Sequence, residues 1–400
     1  MTHVSDTTAA VVLGQGITAL GVVRSLGRAG IPSYLACPPG DFSGFSRWAK
    51  GLLVIPETDD PETLVRALDD LGFREGVLFP CSDMWAQAVS RLPDVSRDRY
   101  RSCMSPPEVL DILVDKVKFA AAVSRLGVPH PPTRIVLGDA DLEQPGLERF
   151  FLKPNNSQRF SQHAGGKALT FNDAAEARAG LRMMNEAGVQ AILQEYIPGP
   201  PTCHYFVDGF VDRGGTVRAL FARRRSRMYP PDFGNSTLMV TVSLDEVAEA
   251  VSSVETLLSG IGFHGIFSAE FKCDPRDGTF KVLEVNGRPW WYNGFAARCG
   301  VDVSLLAYRD ALGEEVATNT GYQVGVRCVL LHLDMRAFLH ERKTNGLSVF
   351  GWLSSVIGAK PTVFAWSDPL PGLDLPVVVA RRRWRRARAP RVPATGGNGS

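Results

Sequence analysis

The sequence predicts an α/β domain with a parallel sheet, followed by a larger α+β region. Two observations support this fold class. Short apolar runs alternate with segments of helical spacing over the first hundred residues, whereas later strands come in pairs around polar turns such as DPRDG. Alternating strands and helices are typical of a parallel sheet covered by helices, and paired strands joined by tight turns are typical of antiparallel hairpins.

Four short apolar runs predict the strands of the parallel sheet. Segments with helical spacing that end at glycines follow the first and the third of these runs. The predicted strands are AAVVLG at 9–14, PSYLAC at 32–37, GLLVIP at 51–56 and GVLFP at 76–80. We therefore expect residues 1–110 to form one α/β domain.

The pattern changes from residue 111 onwards. DILVDKVKFAAAVSRLG predicts one helix that ends at Gly127, and RFFLKP (149–154) and AILQEYI (191–197) predict strands. TCHYFVDGFVD and TVRALFARRRSR predict an antiparallel pair, and GIFSAEFKC (265–273) and TFKVLEVNG (279–287) predict a hairpin. The expected units are two lobes at 111–200 and 201–320, an extension at 321–380 and a basic tail at 381–400.

Composition excludes several classes of protein. The 400 residues are 44% hydrophobic and 22% charged, and the net charge of +2 is not that of a polyanion-binding protein. Seven cysteines without a C-x-x-C pair argue against a disulfide framework and a structural zinc site. The sequence shows no signal peptide and no apolar run that could span a bilayer. We expect a cytoplasmic protein without a nucleic-acid partner, although the basic run at 380–391 could contact an anionic surface.

The predicted hairpin carries candidate metal ligands. Side chains alternate across a strand, so Val282, Glu284 and Asn286 should share one face. The short turn makes Glu270 a near neighbour of Glu284 on the partner strand. Two carboxylates and an amide oxygen are hard ligands of the kind that Mg²⁺ takes beside nucleotide phosphates.

Arg288 follows this set of ligands by two residues, on the same side as Asn286. Its guanidinium could hold an anionic intermediate through two hydrogen bonds. Leu283 and Val285 alternate with the polar residues, which predicts that the other face of the hairpin is packed. The alternative is an ordinary solvated hairpin face, where Glu and Lys are routine.

Lysines supply candidate phosphate contacts. Lys153 ends a predicted buried strand, directly before a polar loop that closes with Gly166 and Lys167. Backbone N–H groups of such a loop can hold phosphates, and lysine adds a positive charge. Lys116 begins a helix, where its charge opposes the helix dipole, and this mild cost suggests another use. Each of these lysines could instead be solvated.

Gln194 and Glu195 lie where a predicted strand meets a Pro-Gly turn. An adenine edge needs a hydrogen-bond donor and an acceptor beside an apolar slot. Either side chain could accept a hydrogen bond from the exocyclic amine of adenine. An ordinary strand end is the alternative interpretation.

Four segments, in this order, resemble the ATP-grasp superfamily. They are DKVKFAAAVSRLGVPHPPT, FLKPNNSQRFSQHAGGKA, LQEYIPG and EFKCDPRDGTFKVLEVNGRPW. The resemblance includes the N-terminal domain and extends to uncharacterised carboxylate–amine ligases of this superfamily. It implies a Rossmann-like parallel-sheet domain followed by a two-lobed domain that binds ATP and Mg²⁺.

The resemblance also implies a role for each candidate residue of the nucleotide site. The implied nucleotide contacts are Lys116, Lys153, Lys167, Gln194, Glu195 and Ile197. The lysines would contact the phosphates, the two strand-end side chains would face the adenine amine, and Ile197 would offer its backbone. In one departure from the family pattern, Pro200 and Pro201 stand where relatives carry an acidic residue that reaches the ribose.

The implied metal ligands are Glu270, Glu284 and Asn286, which would bind two Mg²⁺ ions. Arg288 would stabilise an acyl phosphate and the tetrahedral intermediate, and Arg225 falls where relatives place a phosphate-facing lysine. These roles imply an ATP-dependent ligase that activates a small-molecule carboxylate and transfers it to an amine, giving ADP and phosphate. A homodimer is compatible with this interpretation.

Three different functions are also compatible with parts of the sequence. The pattern G-x-G-x-x-A at Gly14, Gly16 and Ala19 fits a dinucleotide fingerprint, but Ala36 and Cys37 stand where an NAD enzyme needs an acid. ATP-grasp relatives carry a similar domain without NAD and use it for the second substrate. A carboxylase that activates bicarbonate is the second of these functions, and a non-catalytic ATP-binding regulator is the third.

Overall fold

A computed structural model describes residues 7–143, 149–155, 168–171, 173–231 and 233–373. Most of the polar loop that was predicted to hold phosphates, including Lys167, lies outside these residues, and so does the basic run at 380–391. The described residues form three sheets. Among them, each helix is too short or too polar to cross a membrane.

The N-terminal domain contains the predicted parallel sheet, with strand order β3-β2-β1-β4-β5. Its strands are β1 (Ala10–Leu13), β2 (Ser33–Ala36), β3 (Ala49–Leu53), β4 (Gly76–Pro80) and β5 (Tyr100–Arg101). Its helices are α1 (Gly16–Arg28), α2 (Pro61–Asp70), α3 (Asp83–Ser90) and α4 (Asp94–Arg97). β3 ends before the predicted boundary at residue 56, because Val54 turns to solvent and Pro56 has no N–H to donate.

A small antiparallel sheet forms the first lobe, with strand order β6-β8-β7. Its strands are β6 (Thr133–Ile135), β7 (Phe150–Pro154) and β8 (Ala191–Glu195), covered by α7 (Ala174–Glu186). Two helices precede it, α5 (Pro107–Val114) and α6 (Lys116–Arg125). The prediction of one continuous helix is wrong here, because Asp115 is extended and its carboxylate caps α6 through the N–H groups of Val117 and Lys118.

The second lobe is built on a seven-stranded sheet, in the order β13-β12-β9-β10-β11-β14-β15. Its strands are β9 (His204–Val211), β10 (Val217–Tyr229), β11 (Asn235–Thr241), β12 (Gly265–Cys273), β13 (Phe280–Asn286), β14 (Arg327–Val329) and β15 (Lys360–Pro361). Its helices are α8 (Ala248–Ile261), α9 (Asn293–Cys299), α10 (Val303–Ala311), α11 (Leu331–Thr344) and α12 (Val349–Val356). α8 shares a core with Phe271 on one face of this sheet, and on the other face Phe210 and Phe221 are buried in a second core, so the cavity occupies only part of that face.

A β-bulge in β13 decides which side chains leave the core. Glu270 pairs with Glu284, but the next pair of residues skips Leu283. Val282 and Val285 are therefore both buried in the core, while Leu283 joins Glu284 on the opposite face. Two predictions that assumed regular alternation are wrong: Val282 does not share the face of Glu284, and Leu283 does not pack on the core side.

Candidate active site

A cavity of about 180 Å³ lies between the three-stranded and the seven-stranded sheets. The ends of β7 and β8 form one wall, and β9, β10, β12 and β13 contribute to the other. Seven of the residues predicted for the site line it: Lys153, Gln194, Glu195, Ile197, Arg225, Glu270 and Glu284. Residues that are more than a hundred positions apart in sequence therefore meet at one cavity.

Three aromatic rings form an apolar part of this cavity. The ring of Phe233 lies 5.0 Å from that of Phe151 and 6.2 Å from that of Tyr196. The ammonium group of Lys272 lies 4.8 Å from the centre of the Tyr196 ring. Aromatic side chains next to the polar end of β8 suit a planar heteroaromatic base.

The end of β8 is held by polar contacts on both sides. The amide of Gln194 donates a hydrogen bond to the hydroxyl of Thr133 at 3.1 Å. Glu195 accepts one at 2.8 Å from Arg276, which lies in the turn between β12 and β13 and is also bound to Asp274. Arg276 thus ties the first lobe to the hairpin of the second lobe.

Glu270 lies at the centre of a positively charged group. Its Oε1 atom accepts hydrogen bonds from Arg225 at 3.0 Å and from Nδ1 of His204 at 2.9 Å. Burial would raise the pKa of Glu270, but the charge of Arg225 and the hydrogen bond from His204 outweigh it and hold the pKa well below its usual range. The carboxylate is therefore charged, and its Oε1 is fixed while its Oε2 stays available for a ligand.

Glu284, the cross-strand partner of Glu270, begins a line of polar contacts. Oε2 of Glu284 lies 3.6 Å from Nζ of Lys116, and its Oε1 lies 3.5 Å from the amide nitrogen of Asn286. The amide oxygen of Asn286 in turn accepts a hydrogen bond from Arg288 at 3.2 Å. The structure thus joins four of the predicted site residues in one line, although Lys116, Asn286 and Arg288 lie beyond the residues that line the cavity.

Arg288 extends this line to the N-terminal domain. Its Nε atom donates a hydrogen bond at 2.5 Å to Asp83, the first residue of α3. Burial would lower the pKa of Arg288, but the nearby charge of Asp83 outweighs it and raises the pKa. The neighbouring Cys81 is buried, which raises the pKa of its thiol to about 12 and keeps it protonated.

The turn between β1 and α1 does not look like a dinucleotide site. The backbone N–H of Gly16 donates a hydrogen bond at 2.9 Å to the carboxylate of Asp41, a negative group where a pyrophosphate would have to lie. A side chain at Gly14 would collide with Cys81 at 2.7 Å, so packing alone explains that glycine. These contacts argue against an NAD enzyme.

The protein supplies only part of the oxygen ligands that a hard metal ion needs, so a substrate would have to supply others. Among the described residues, no group of three or more His, Cys, Asp or Glu side chains could hold a metal ion. Glu270 and Glu284 are direct partners across the hairpin, and Asn286 adjoins the second of them. Such an incomplete set fits an ion that takes its remaining ligands from phosphate oxygens and water.

Comparisons with known proteins agree with this geometry. The chain is 24% identical over 334 residues to a D-aspartate ligase of Enterococcus faecium, and the match covers 78% of each chain. Its fold is similar to N5-carboxyaminoimidazole synthetase of Staphylococcus aureus (TM-score 0.60, 15% identity, 81% and 82% of the two chains). It is also similar to an L-amino acid ligase of Bacillus licheniformis (TM-score 0.56, 16% identity, 77% and 75%). No family model matches the sequence.

The chain has the fold of these solved structures, which is the fold that the resemblance to the ATP-grasp superfamily implied. The mixed α/β fold predicted from the sequence is confirmed. Within this ATP-grasp fold, the hairpin and the end of β8 face each other across the cavity. The individual role of each predicted residue stays a prediction, and Lys167 lies outside the described residues.

Three polar residues in or beside the cavity were not assigned a role in the site from the sequence. His204 and Lys272 line the cavity, and Arg276 holds Glu195. His204 is the cross-strand partner of Lys272, and Phe206 that of Glu270, so these β9 and β12 positions share one face. In β12, polar residues occupy the alternate positions 268, 270 and 272, and this pattern was the signal that could have found Lys272; β9 has no such pattern, because Phe206 follows His204 on the same face.

Proposed function

We propose that this protein is an ATP-dependent carboxylate–amine ligase that forms ADP and phosphate. The observation that carries the proposal is the pair Glu270 and Glu284, joined across one hairpin and facing the same cavity as Lys153. The cavity has an apolar, aromatic part for a base and a charged part for phosphates. Both features are needed for a triphosphate to bind with its transferable phosphate next to a second substrate.

In the proposed first step, a carboxylate oxygen attacks the γ-phosphorus of ATP. The bond from that phosphorus to the bridging oxygen breaks, and ADP leaves with the electron pair. Lys153 and Arg225 supply positive charge beside the cavity, which stabilises charge that develops on the phosphoryl oxygens. Mg²⁺ held by Glu270, Glu284 and Asn286 would neutralise further phosphate charge.

In the second step, an amine nitrogen attacks the carbonyl carbon of the acyl phosphate. Phosphate leaves with the electron pair of its bond, and the proton lost by the amine is taken up by the departing phosphate. Arg288 is oriented by Asp83 and Asn286, so its guanidinium is fixed for contact with the anionic oxygen of the intermediate. The names of two relatives, D-aspartate ligase and L-amino acid ligase, support an amino acid as one substrate of this protein.

The test is ADP release from ATP and Mg²⁺ with pairs drawn from D- and L-amino acids, small carboxylates and bicarbonate. We expect release that requires one carboxylate and one amine, together with a new amide product in the mass spectrum. ADP release with bicarbonate alone would instead indicate a carboxylase. ATP binding without release under any pairing would contradict the ligase proposal.

A further inference from the structure

Exposed apolar side chains are concentrated in one short stretch of the chain. Of the twenty large hydrophobic residues that are exposed among the described residues, ten lie between 331 and 373. Seven of them form what we call the apolar face: Leu331, Met335, Leu339, Val349, Phe350, Leu353 and Ile357. Phe350 is 81% exposed and Ile357 is 67% exposed, which is unusual for side chains of this size.

The contact between α11 and α12 turns these side chains to one side. Phe338 stacks on Trp352 with ring centres 5.0 Å apart, and Trp352 also donates a hydrogen bond to Asp334. On both helices an exposed residue comes one position after a contact residue, as Leu339 follows Phe338 and Leu353 follows Trp352. Helices joined by a short loop run roughly antiparallel, so the same rotation brings both exposed stripes to the same side of the pair.

The sequence around the apolar face is basic. Arg342 and Lys343 occupy the last turn of α11. Beyond Leu373, which is itself exposed, the sequence has seven arginines and one tryptophan between residues 381 and 391. The first of these arginines is eight residues after Leu373, and an extended chain of that length reaches at most about 30 Å. Gly372 adjoins Phe364, and Val363 packs in one cluster with Leu330 and Leu333 at the start of α11, so the described chain ends near the helix that carries part of the apolar face.

We propose that the apolar face docks on the surface of an anionic lipid bilayer. Apolar and aromatic side chains can enter the boundary between headgroups and acyl chains, while arginines bind the anionic headgroups. Two such signals together give stable attachment where either alone gives a weak one. This attachment is peripheral, so it needs no segment that crosses the membrane.

The test is cosedimentation of the full-length protein with vesicles of phosphatidylcholine, with and without about one third phosphatidylglycerol. We expect binding only to the anionic vesicles, and less of it as the salt concentration rises. Phe350→Asp and Ile357→Asp should each weaken the binding about tenfold or more, because a carboxylate would have to enter the headgroup boundary. Val95→Asp is the matched control, since Val95 is 85% exposed but lies on α4 of the N-terminal domain.

A melting temperature near that of the wild type shows that each variant is folded. None of the substituted residues lines the cavity, so ATP-dependent activity should not change. Failure of the wild-type protein to bind anionic vesicles at low salt would overturn the proposal. Full binding by both Phe350→Asp and Ile357→Asp would overturn it too, since the arginines alone would then account for attachment. Concentration-dependent dimers that these substitutions abolish, without vesicle binding, would assign the face to a second copy of the chain. None of these outcomes depends on the ligase proposal.

Discussion

Asp83 of the N-terminal domain accepts a hydrogen bond of 2.5 Å from Nε of Arg288, which follows the hairpin of the second lobe. The guanidinium is thereby bound by groups from two parts of the chain, because Asn286 accepts from its Nη2. An arginine held on two sides has few rotamers left to lose when it binds an anion. The orientation of Arg288, which the proposed second step uses, therefore depends on the position of α3 in the N-terminal domain.

Asp83→Asn should lower turnover while leaving the KM for ATP nearly unchanged, because Asp83 does not line the cavity. Loss of a charged hydrogen bond costs about 1.5–3 kcal/mol, which corresponds to roughly a 10- to 100-fold fall in kcat. Steady-state ADP release measures both constants. Asp111→Asn is the control, since Asp111 forms a comparable ion pair with Arg91 away from the site. Equal effects of the two substitutions would show that Asp83 has no special role.

Glu284→Gln should lower ADP release by about 100-fold or more, because the amide keeps the shape of the side chain but removes its charge. The melting temperature should stay close to that of the wild type, since the Glu284 side chain is only partly buried. Glu314→Gln changes an exposed glutamate that neither belongs to the hairpin nor lines the cavity, and it should have no effect. Full activity of Glu284→Gln would remove this residue from the metal site.

Arg225→Lys should raise the concentration of Mg²⁺ needed for half-maximal activity by about 10- to 100-fold. The guanidinium donates at once to the hydroxyl of Ser236 at 2.8 Å and to Glu270 at 3.0 Å, and an ammonium group cannot copy that planar arrangement. A magnesium titration of activity measures the shift. Arg224→Lys is the adjacent control, because Arg224 forms a partly exposed pair with Glu246. An unchanged magnesium requirement would mean that Arg225 does not orient Glu270.

Asp274 should make stability depend on pH. Hydrogen bonds from Arg276 outweigh burial and, with Lys281, hold the pKa of Asp274 well below its usual range. A lowered pKa in the folded state means that this carboxylate stabilises the protein fully above its ordinary pKa of about 4, and less as the pH falls towards the folded-state value. Asp274→Asn should thus cost about 1–3 kcal/mol in the free energy of unfolding at neutral pH.

The deficit of Asp274→Asn should shrink as the pH falls below about 4. Urea unfolding at a series of pH values measures this difference. Asp94→Asn is the control, because the Asp94 side chain is 99% exposed and should show no deficit at any pH. A deficit of Asp274→Asn that is the same at pH 7 and at pH 3 would contradict the charge-based explanation.

Local patterns were sufficient to predict the parallel sheet and a hairpin that brings Glu270 near Glu284, because both depend on strand period and on turn chemistry. The direct pairing of the two carboxylates depends on the bulge at Leu283, which these patterns did not predict. The break at Asp115 was harder to predict, because an aspartate within a helical pattern can either continue the helix or cap a new one. Only the packing around the two helices decides between these outcomes.

Contacts between distant segments were beyond the reach of the sequence. Arg276 in a predicted surface turn holds Glu195, which is 81 residues away in the chain. Likewise Arg227, in a strand predicted without any partner side chain, is buried against Asp334. Such pairs form because a buried charge needs an opposite charge, but any of many carboxylates could have supplied it.

Because of the bulge residue Leu283 in β13, the arrangement of the oxygen ligands and the width of the cleft depend on different residues. Val282 and Val285 face the core, and Glu284 and Asn286 face away from it, so these four would still alternate regularly in a strand that lacked Leu283. Leu283 itself adds only an apolar piece of wall beside the nucleotide cavity. A chain one residue shorter here would keep its oxygen ligands in register and accept a differently shaped molecule beside them. The width of the cleft can therefore vary among related sequences while its ligand geometry stays the same.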